Sequence, residues 1–175
     1  GFETKYTDVS SDTWYKNSVA FLERIGVLNM FDGNKFYPDK NITRAELASM
    51  IANIEGITAT YRGQFSDVNN HWAANYIQAV VDRGYMKPAG YSSFGAQSYA
   101  TRADLAYAIA AILDVHNLEP IFVSATDTKN NEARCAVEQL LRLGIMDGYS
   151  DGTAKPNSNI TRAEAAAMIV RMLGE

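Results

Sequence analysis

Apolar residues recur at helical spacing in six stretches of the chain, and this periodicity predicts six amphipathic helices. Three of the predicted helices lie at 14–25, around 77–81 and around 137–141. The other three carry apolar residues at positions i, i+3, i+4 and i+7, namely Leu47, Met50, Ile51 and Ile54, then Leu105, Ala108, Ile109 and Ile112, then Ala165, Met168, Ile169 and Met172. The two groups alternate along the chain, which indicates a helix–loop–helix unit repeated three times.

A short polar segment precedes each helix of the second group. Residues 43–46 and 161–164 both read Thr-Arg-Ala-Glu, and residues 101–104 read Thr-Arg-Ala-Asp. A glycine stands 17 positions before each of these threonines, at Gly26, Gly84 and Gly144. Because self-similarity at a fixed period marks a repeat architecture, the sequence predicts three units, at residues 1–58, 59–118 and 119–175.

Each tetrad has the chemistry of a helix start. Threonine is a good N-cap, and an acidic residue three positions later can bond back to the cap's amide, which makes a capping box. Capping does not explain the arginine, since a cation in the first turn faces the positive end of the helix dipole. Two explanations remain open for Arg44, Arg102 and Arg162: they bind an anionic ligand, or each pairs with a nearby carboxylate.

The connectors between the units predict a compact assembly. They are short and mixed in polarity, unlike flexible Gly/Ser-rich linkers, and two amphipathic helices cannot close a core alone. We therefore predict an all-α fold in which the units pack as a pseudo-threefold trimer around a central three-helix bundle. The units should form one cooperative structure that is monomeric as an isolated module.

Composition and charge exclude several classes of function. The net charge of −4 comes without a basic stripe, which argues against a nucleic-acid partner. No apolar run approaches the roughly 20 residues that span a bilayer, so we expect no membrane insertion. Cys135 is the only cysteine, which we expect to be buried and inert, and the Asp-Gly loops are too poor in acids for a calcium loop. We predict no metal and no cofactor.

An enzyme is also disfavoured by the sequence. A hydrolase needs two suitably separated carboxylates or an activated nucleophile. The repeated acidic residues are taken up by capping, and His71 and His116 have no serine or cysteine partner at repeated positions. We therefore predict that the chain is not an enzyme.

The order of these motifs resembles the surface-layer homology (SLH) family. Unit three shows the resemblance best, with GIMDGYSDGTAKP at 144–156 followed by ITRAE at 160–164. The resemblance covers nearly the whole chain, in the three tandem copies usual for that family. It implies a module at the bacterial cell surface that anchors a surface-layer protein to the cell wall. Such modules bind secondary cell-wall polysaccharide non-covalently, often at a pyruvylated amino sugar, in grooves between adjacent motifs.

The resemblance also implies which residues line the grooves. The tetrad arginines would meet the sugar's carboxylate, which suits the guanidinium fork, and the helix N-termini would add free amides. Asp8, Asp67 and Asp127 would help to shape the grooves, with capping of the first helices as their other role. The resemblance also makes two tryptophans, Trp14 and Trp72, candidates for contact with the sugar. Gly148 and Tyr149, in the loop of unit three, are further candidates. The alternative role of the tryptophans is packing in the hydrophobic core.

Differences between the units predict unequal grooves. Met30 and Pro88 occupy the position of Gly148, and Glu132 stands near where unit two has Trp72. We expect each groove to take its arginine from one unit and its loop and aromatic residue from the next: Arg44 with Asp67 and Trp72, Arg102 with Asp127, Gly148 and Tyr149, and Arg162 with Asp8 and Trp14. One or two sites should therefore be active. A helical-repeat module that binds another protein without glycan remains the alternative function.

Overall fold

The computed structural model describes residues 3–175 and contains six α-helices in this part of the chain, without a β-strand. The helices are α1 (Lys16–Arg24), α2 (Arg44–Glu55), α3 (Ala74–Asp82), α4 (Arg102–Ile112), α5 (Arg134–Leu143) and α6 (Arg162–Met172). The predicted all-α fold is confirmed, with two helices in each repeat.

The helices that follow the tetrads form the centre of the fold. Apolar and small residues occupy almost every side of α2, α4 and α6, and eight consecutive or nearly consecutive residues of α2 and of α6 are buried. A helix that is hydrophobic on all sides must lie inside a protein. In contrast, α1, α3 and α5 bury only three, four and five residues, so they form the outer layer.

Each outer helix packs against a central helix of a different unit. Helix α3 packs on α2, α5 packs on α4, and α1 closes the circle by packing on α6. Two of the central helices, α4 and α6, also contact each other. The core is therefore shared among the units, with Phe36, Phe65 and Phe94 among its largest fully buried side chains.

A closed ring of backbone hydrogen bonds joins the residues that precede the three tetrads. The amide of Ile42 donates to the carbonyl of Ile160 (3.0 Å), and the amide of Ile160 donates to the carbonyl of Ala100 (3.2 Å). The amide of Ala100 donates to the carbonyl of Ile42 (2.9 Å), which completes the ring. Each residue donates once and accepts once, so the predicted pseudo-threefold arrangement is present in the backbone itself.

Local capping starts the central helices as the sequence predicts. The capping box is complete at Thr43 and Thr101. Each threonine oxygen accepts the amide of the acidic residue three positions later, and the carboxylate of that residue accepts the threonine's own amide. At Thr161 the oxygen accepts the amide of Glu164, but the Glu164 carboxylate instead accepts the threonine hydroxyl. Two of the three predicted capping boxes are therefore complete.

The first amides of the central helices are not free. Those of Arg44 and Ala45 donate to the carbonyls of Ser98 and Ala96 in the loop of unit two. The equivalent amides of Arg102 and Arg162, and of the alanines after them, donate to loop carbonyls at Ser158, Pro156, Lys40 and Pro38. The expectation of free amides for an anionic ligand is wrong, because each loop occupies them.

A fragment of residues 1–58 should fold poorly. In the whole chain α1 packs on α6 and α2 packs on α3, so unit one would lose both of its helix partners and the ring bonds of Ile42. We expect poor dispersion in its proton spectrum and no sharp thermal transition, while the whole chain shows both. A cooperative transition in the isolated fragment would contradict the shared core.

Candidate functional site

Each tetrad arginine reaches across to the loop of the next unit. Arg44 donates from Nε to the carbonyl of Phe94 (3.1 Å) and from Nη2 to the carbonyl of Lys87 (2.6 Å). Its guanidinium carbon lies 4.6 Å from the centroid of the Phe94 ring, and the residue is only 8% exposed. Arg102 makes the same two bonds in unit three, to the carbonyls of Ala154 and Asp147.

The arginines also form a ring of ion pairs with the acidic residues of the tetrads. Each pairs with the acid of the next unit: Arg44 with Asp104 at 3.1 Å, Arg102 with Glu164 at 3.7 Å, and Arg162 with Glu46. Of the two explanations that the sequence left open, pairing with a carboxylate is present at all three arginines. The acid therefore has two roles, since it also helps to cap its own helix.

Arg162 holds a different pose from the other two arginines. It donates from Nη1 to the carbonyl of Phe36 (2.9 Å) and from Nη2 to the carboxylate of Glu46. Its Nε is buried and has no hydrogen-bond partner among the described residues. The side chains of Arg162 and Glu46 are only 8% and 14% exposed, so this ion pair is the most buried of the three.

The three aspartates hold the loops, and not the outer helices. Their carboxylates accept loop amides at 2.8–2.9 Å: Asp8 from Phe36 and Tyr37, Asp67 from Phe94, Gly95 and Ala96, and Asp127 from Ala154 and Lys155. The prediction that they cap the first helices is wrong, because those helices begin without any side-chain cap. A carboxylate can accept several amides, and here the loop supplies them.

At one equivalent position, the backbone of all three loops is left-handed. Tyr37, Gly95 and Lys155 have φ values of 55°, 82° and 51°, and the amide of each is bound by the aspartate of its unit. Burial alone would raise the pKa of Asp67. The hydrogen bonds from the amides of Ala96, Phe94 and Gly95 outweigh it and hold that pKa below its usual range. The aspartates therefore stabilise the loops that in turn accept the arginines.

A groove of about 630 Å³ opens beside Arg44. Unit one contributes Arg44 itself, and unit two contributes the loop from Met86 to Ser98 and the start of α4. Unit three contributes the segment just before α5, including Glu132. Three units therefore build this groove, whereas the sequence predicted that two would.

The structure groups some of the predicted site residues and separates others. Asp67 binds the amide of Gly95, which lines the Arg44 groove, so the structure brings this aspartate and the loop together beside Arg44. Trp72 does not line this groove. The tryptophans are exposed, with Trp14 at 65% and Trp72 at 55%, so the alternative of a place in the core is wrong.

Around Arg102 the structure brings the Tyr149 ring close to the guanidinium. The Tyr149 ring lies 5.0 Å from the guanidinium carbon of Arg102 and 4.1 Å from the amino group of Lys155. A Cβ at Gly148 would lie 3.3 Å from the Thr153 carbonyl oxygen, so a side chain there would require that carbonyl to shift by a few tenths of an ångström. At the same position Pro88 lines the Arg44 groove without closing it.

Sequence reasoning did not propose several residues of the Arg44 groove as ligand contacts, among them Lys87, Gly95, Tyr107 and Glu132. The repeat signal could not reveal Lys87 or Tyr107, because the other units have different residues at both positions. Gly95 differs from the equivalent residues of the other two loops, and this difference is visible in an alignment of the three loops. A Cβ there would meet Arg44 Nε at 3.3 Å, and the other loops carry Tyr37 and Lys155 instead.

Other chemistry is not assembled in the described part of the chain. No group of three or more histidine, cysteine, aspartate or glutamate side chains there could hold a metal ion. Cys135 is half-buried, where the sequence predicted full burial. Among residues 3–175 no helix has the length and apolar character needed to cross a membrane.

Comparison with known families gives three matches that follow the repeat. The model of the S-layer homology domain matches residues 5–48, 64–106 and 126–166, each match ending just within a central helix. The chain belongs to the S-layer homology family. The resemblance inferred from the tetrads and loops is thereby confirmed.

Relatives of this S-layer homology chain include proteins of the bacterial surface. It is 29% identical to a cellulosome-anchoring protein of Acetivibrio thermocellus, over 86% of this chain and 36% of that protein. It is 28% identical to S-layer protein sap of Bacillus anthracis, over 95% of this chain and 21% of that protein. The predicted location at the bacterial cell surface agrees with these relatives.

An enzyme is among the relatives as well. An amylopullulanase of Thermoanaerobacterium thermosulfurigenes is 29% identical over 98% of this chain, but the match covers only 10% of that protein. The chain thus spans a small part of the relatives that it matches. The activity named for that relative belongs to a protein about ten times as long as the matched part.

Replacing Arg162 with alanine should destabilise the whole chain. The change leaves the buried carboxylate of Glu46 without its partner, and breaking a buried ion pair costs about 3–5 kcal/mol. Arg171→Ala is the matched control, because its ion pair with Asp147 is exposed and worth at most about 1 kcal/mol. Chemical denaturation measures both values. Equal small losses in the two variants would contradict a structural role for Arg162.

Proposed function

We propose that this chain anchors a surface-layer protein to the bacterial cell wall by binding secondary cell-wall polysaccharide, at a pyruvylated amino sugar, in the grooves between units. Membership of the S-layer homology family supports a cell-wall anchor. The name of the cellulosome-anchoring relative supports the same function. The single observation that carries the proposal for this chain is the open groove beside Arg44, which is large enough for a sugar residue.

The lining of the Arg44 groove has the chemistry that a carboxylated sugar requires. Arg44 and Lys87 supply positive charge for a carboxylate. Tyr99 and Tyr107 supply aromatic faces for the apolar side of a sugar ring, and Asn131 supplies an amide. Binding sites of this kind combine apolar walls with a few placed polar groups.

The three grooves differ in their suitability for binding the sugar, and we propose that the Arg44 groove is the main binding site. A Cβ at Gly95 would meet Arg44 Nε at 3.3 Å, whereas the equivalent positions of the other two loops carry side chains, those of Lys155 and Tyr37. Arg162 is also committed to its buried pair with Glu46. The Arg102 groove, with Asp127, Gly148 and Tyr149, is the second candidate, and the Arg162 groove, with Asp8, is the weakest.

The exposed tryptophans are proposed as stacking surfaces for the same polysaccharide. In the Arg44 groove, unit three supplies Glu132 at the position that corresponds to Trp72. By the pseudo-threefold symmetry, Trp72 belongs beside Arg162 and Trp14 belongs beside Arg102. This order is shifted by one unit from the order expected from the sequence, where each tryptophan joined the arginine of the unit before it.

A helical-repeat module that binds another protein is the second candidate function. One observation favours it: the first segment of unit three exposes Ile121 (90%), Phe122 (73%) and Val123 (50%). Contiguous exposed apolar residues are typical of interaction sites. We propose no catalytic role, no cofactor and no nucleic-acid partner for the chain, which we expect to be monomeric and to act as one cooperative unit of three repeats.

Calorimetric titration with a methyl glycoside of N-acetylmannosamine, with and without a pyruvyl ketal, tests the proposed function. We expect the pyruvylated sugar to bind about ten- to a hundred-fold more tightly, since a charged hydrogen bond contributes about 1.5–3 kcal/mol. The stoichiometry should be one or two per chain, because the grooves are unequal. Three sites of equal affinity would contradict the assignment of the grooves.

The same titration separates the two candidate functions. A module that binds only proteins would give no heat with either sugar and no sugar-dependent rise in its thermal midpoint. Ile121→Ser together with Phe122→Ser is a suitable control variant, because both residues are exposed and neither lines the groove. Unchanged sugar affinity in that variant would support the groove as the binding site.

A further inference from the structure

The Arg44 groove contains two cations, and their positions differ in one respect. Arg44 is 8% exposed and directs its Nε and Nη2 to backbone carbonyls and its Nη1 to Asp104. Lys87 is exposed, and its amino group has no ion pair or hydrogen bond among the described residues. The charge of Arg44 is therefore largely balanced by Asp104, while that of Lys87 is available to a ligand.

An aromatic ring keeps the lysine in the groove. The Lys87 amino nitrogen lies 4.7 Å from the centroid of the Tyr107 ring, and both residues line the groove. A cation over an aromatic face is held by a weak attraction at an exposed site. This is strong enough to bias the side chain toward the groove and weak enough to leave its three N–H donors for another group.

The arginine fixes the backbone of this same lysine. Arg44 Nη2 donates to the Lys87 carbonyl at 2.6 Å. The guanidinium of unit one therefore fixes the position of the lysine backbone in unit two. Arg102 makes the equivalent bond to Asp147, which has a side chain of opposite charge. The corresponding residue of unit one is Asn29. Only unit two carries a cation at this position.

The part of the groove from unit three has the opposite charge. Glu132 lines it, and its carboxylate has no hydrogen bond or ion pair within residues 3–175. A ligand carboxylate is repelled there and attracted to the lysine, so the two side chains give the groove a polarity. Asn130 and Asn131, which also line the unit-three part, add amides that can bond sugar hydroxyls.

We propose that Lys87 is the direct contact for the ligand carboxylate in the Arg44 groove, with Arg44 as the residue that positions it and Glu132 as the residue that orients the ligand. This inference rests on the proposed function, and it names the residue that gives the groove its preference for an acidic sugar. It also explains why one groove differs from the others, since the repeat-specific residue is the lysine and not the arginine.

Titration of Lys87→Met with the two methyl glycosides of N-acetylmannosamine tests the inference. Methionine keeps the length and apolar stem of lysine but removes its charge. We expect the preference for the pyruvylated sugar to fall by about ten-fold or more, with unchanged affinity for the sugar that lacks the ketal. Lys87→Arg should keep most of the preference, and Lys16→Met, in α1 and outside the groove, should keep all of it.

The outcomes separate this inference from the proposed function. Binding of the pyruvylated sugar by the unaltered chain, with the same preference in Lys87→Met, would overturn the role of Lys87 and leave the function in place. No binding of either sugar by the unaltered chain would overturn the function and this inference with it. Because Lys87 is exposed, the Lys87→Met variant should have the same thermal midpoint as the Lys16→Met variant. A much lower midpoint in Lys87→Met would show that the lysine is structural.

Discussion

The ring of hydrogen bonds between Ile42, Ala100 and Ile160 is the constraint on which the rest of the structure depends. Each residue immediately precedes a tetrad threonine, so the ring brings the N-termini of all three central helices together. Buried backbone groups must find partners, and here they find them only in the other two units. The helices then pair across units, with α1 on α6, α3 on α2 and α5 on α4.

The binding groove follows from the same closure. Because the ring places each tetrad against the next unit's loop, the arginine can reach two loop carbonyls and the acid of the next tetrad. The aspartate of that unit holds the loop from its other side. The polar ring of tetrads therefore has a structural role first, and a ligand meets the side chains that the loops present above it, such as Lys87 beside Arg44.

Local rules explain what the sequence could predict. Capping and helical periodicity depend on residues a few positions apart, so the central helices begin at residues 44, 102 and 162 directly after their threonines. The residue type alone could not decide between the two roles considered for Asp67, because a helix cap and a loop anchor need the same residue type. The place of Glu132 was not predictable, because the sequence does not show that a third unit closes the Arg44 groove. Both depend on contacts between distant parts of the chain.

Native-state hydrogen exchange of the Ile42, Ala100 and Ile160 amides tests the central claim most directly. Amides that open only when the whole structure unfolds all report the global free energy of unfolding. If the ring closes one cooperative structure, these three amides should exchange with the same free energy, equal to that from chemical denaturation. Exchange of one ring amide at a clearly lower free energy than the other two would show that its unit opens alone, which would contradict this account.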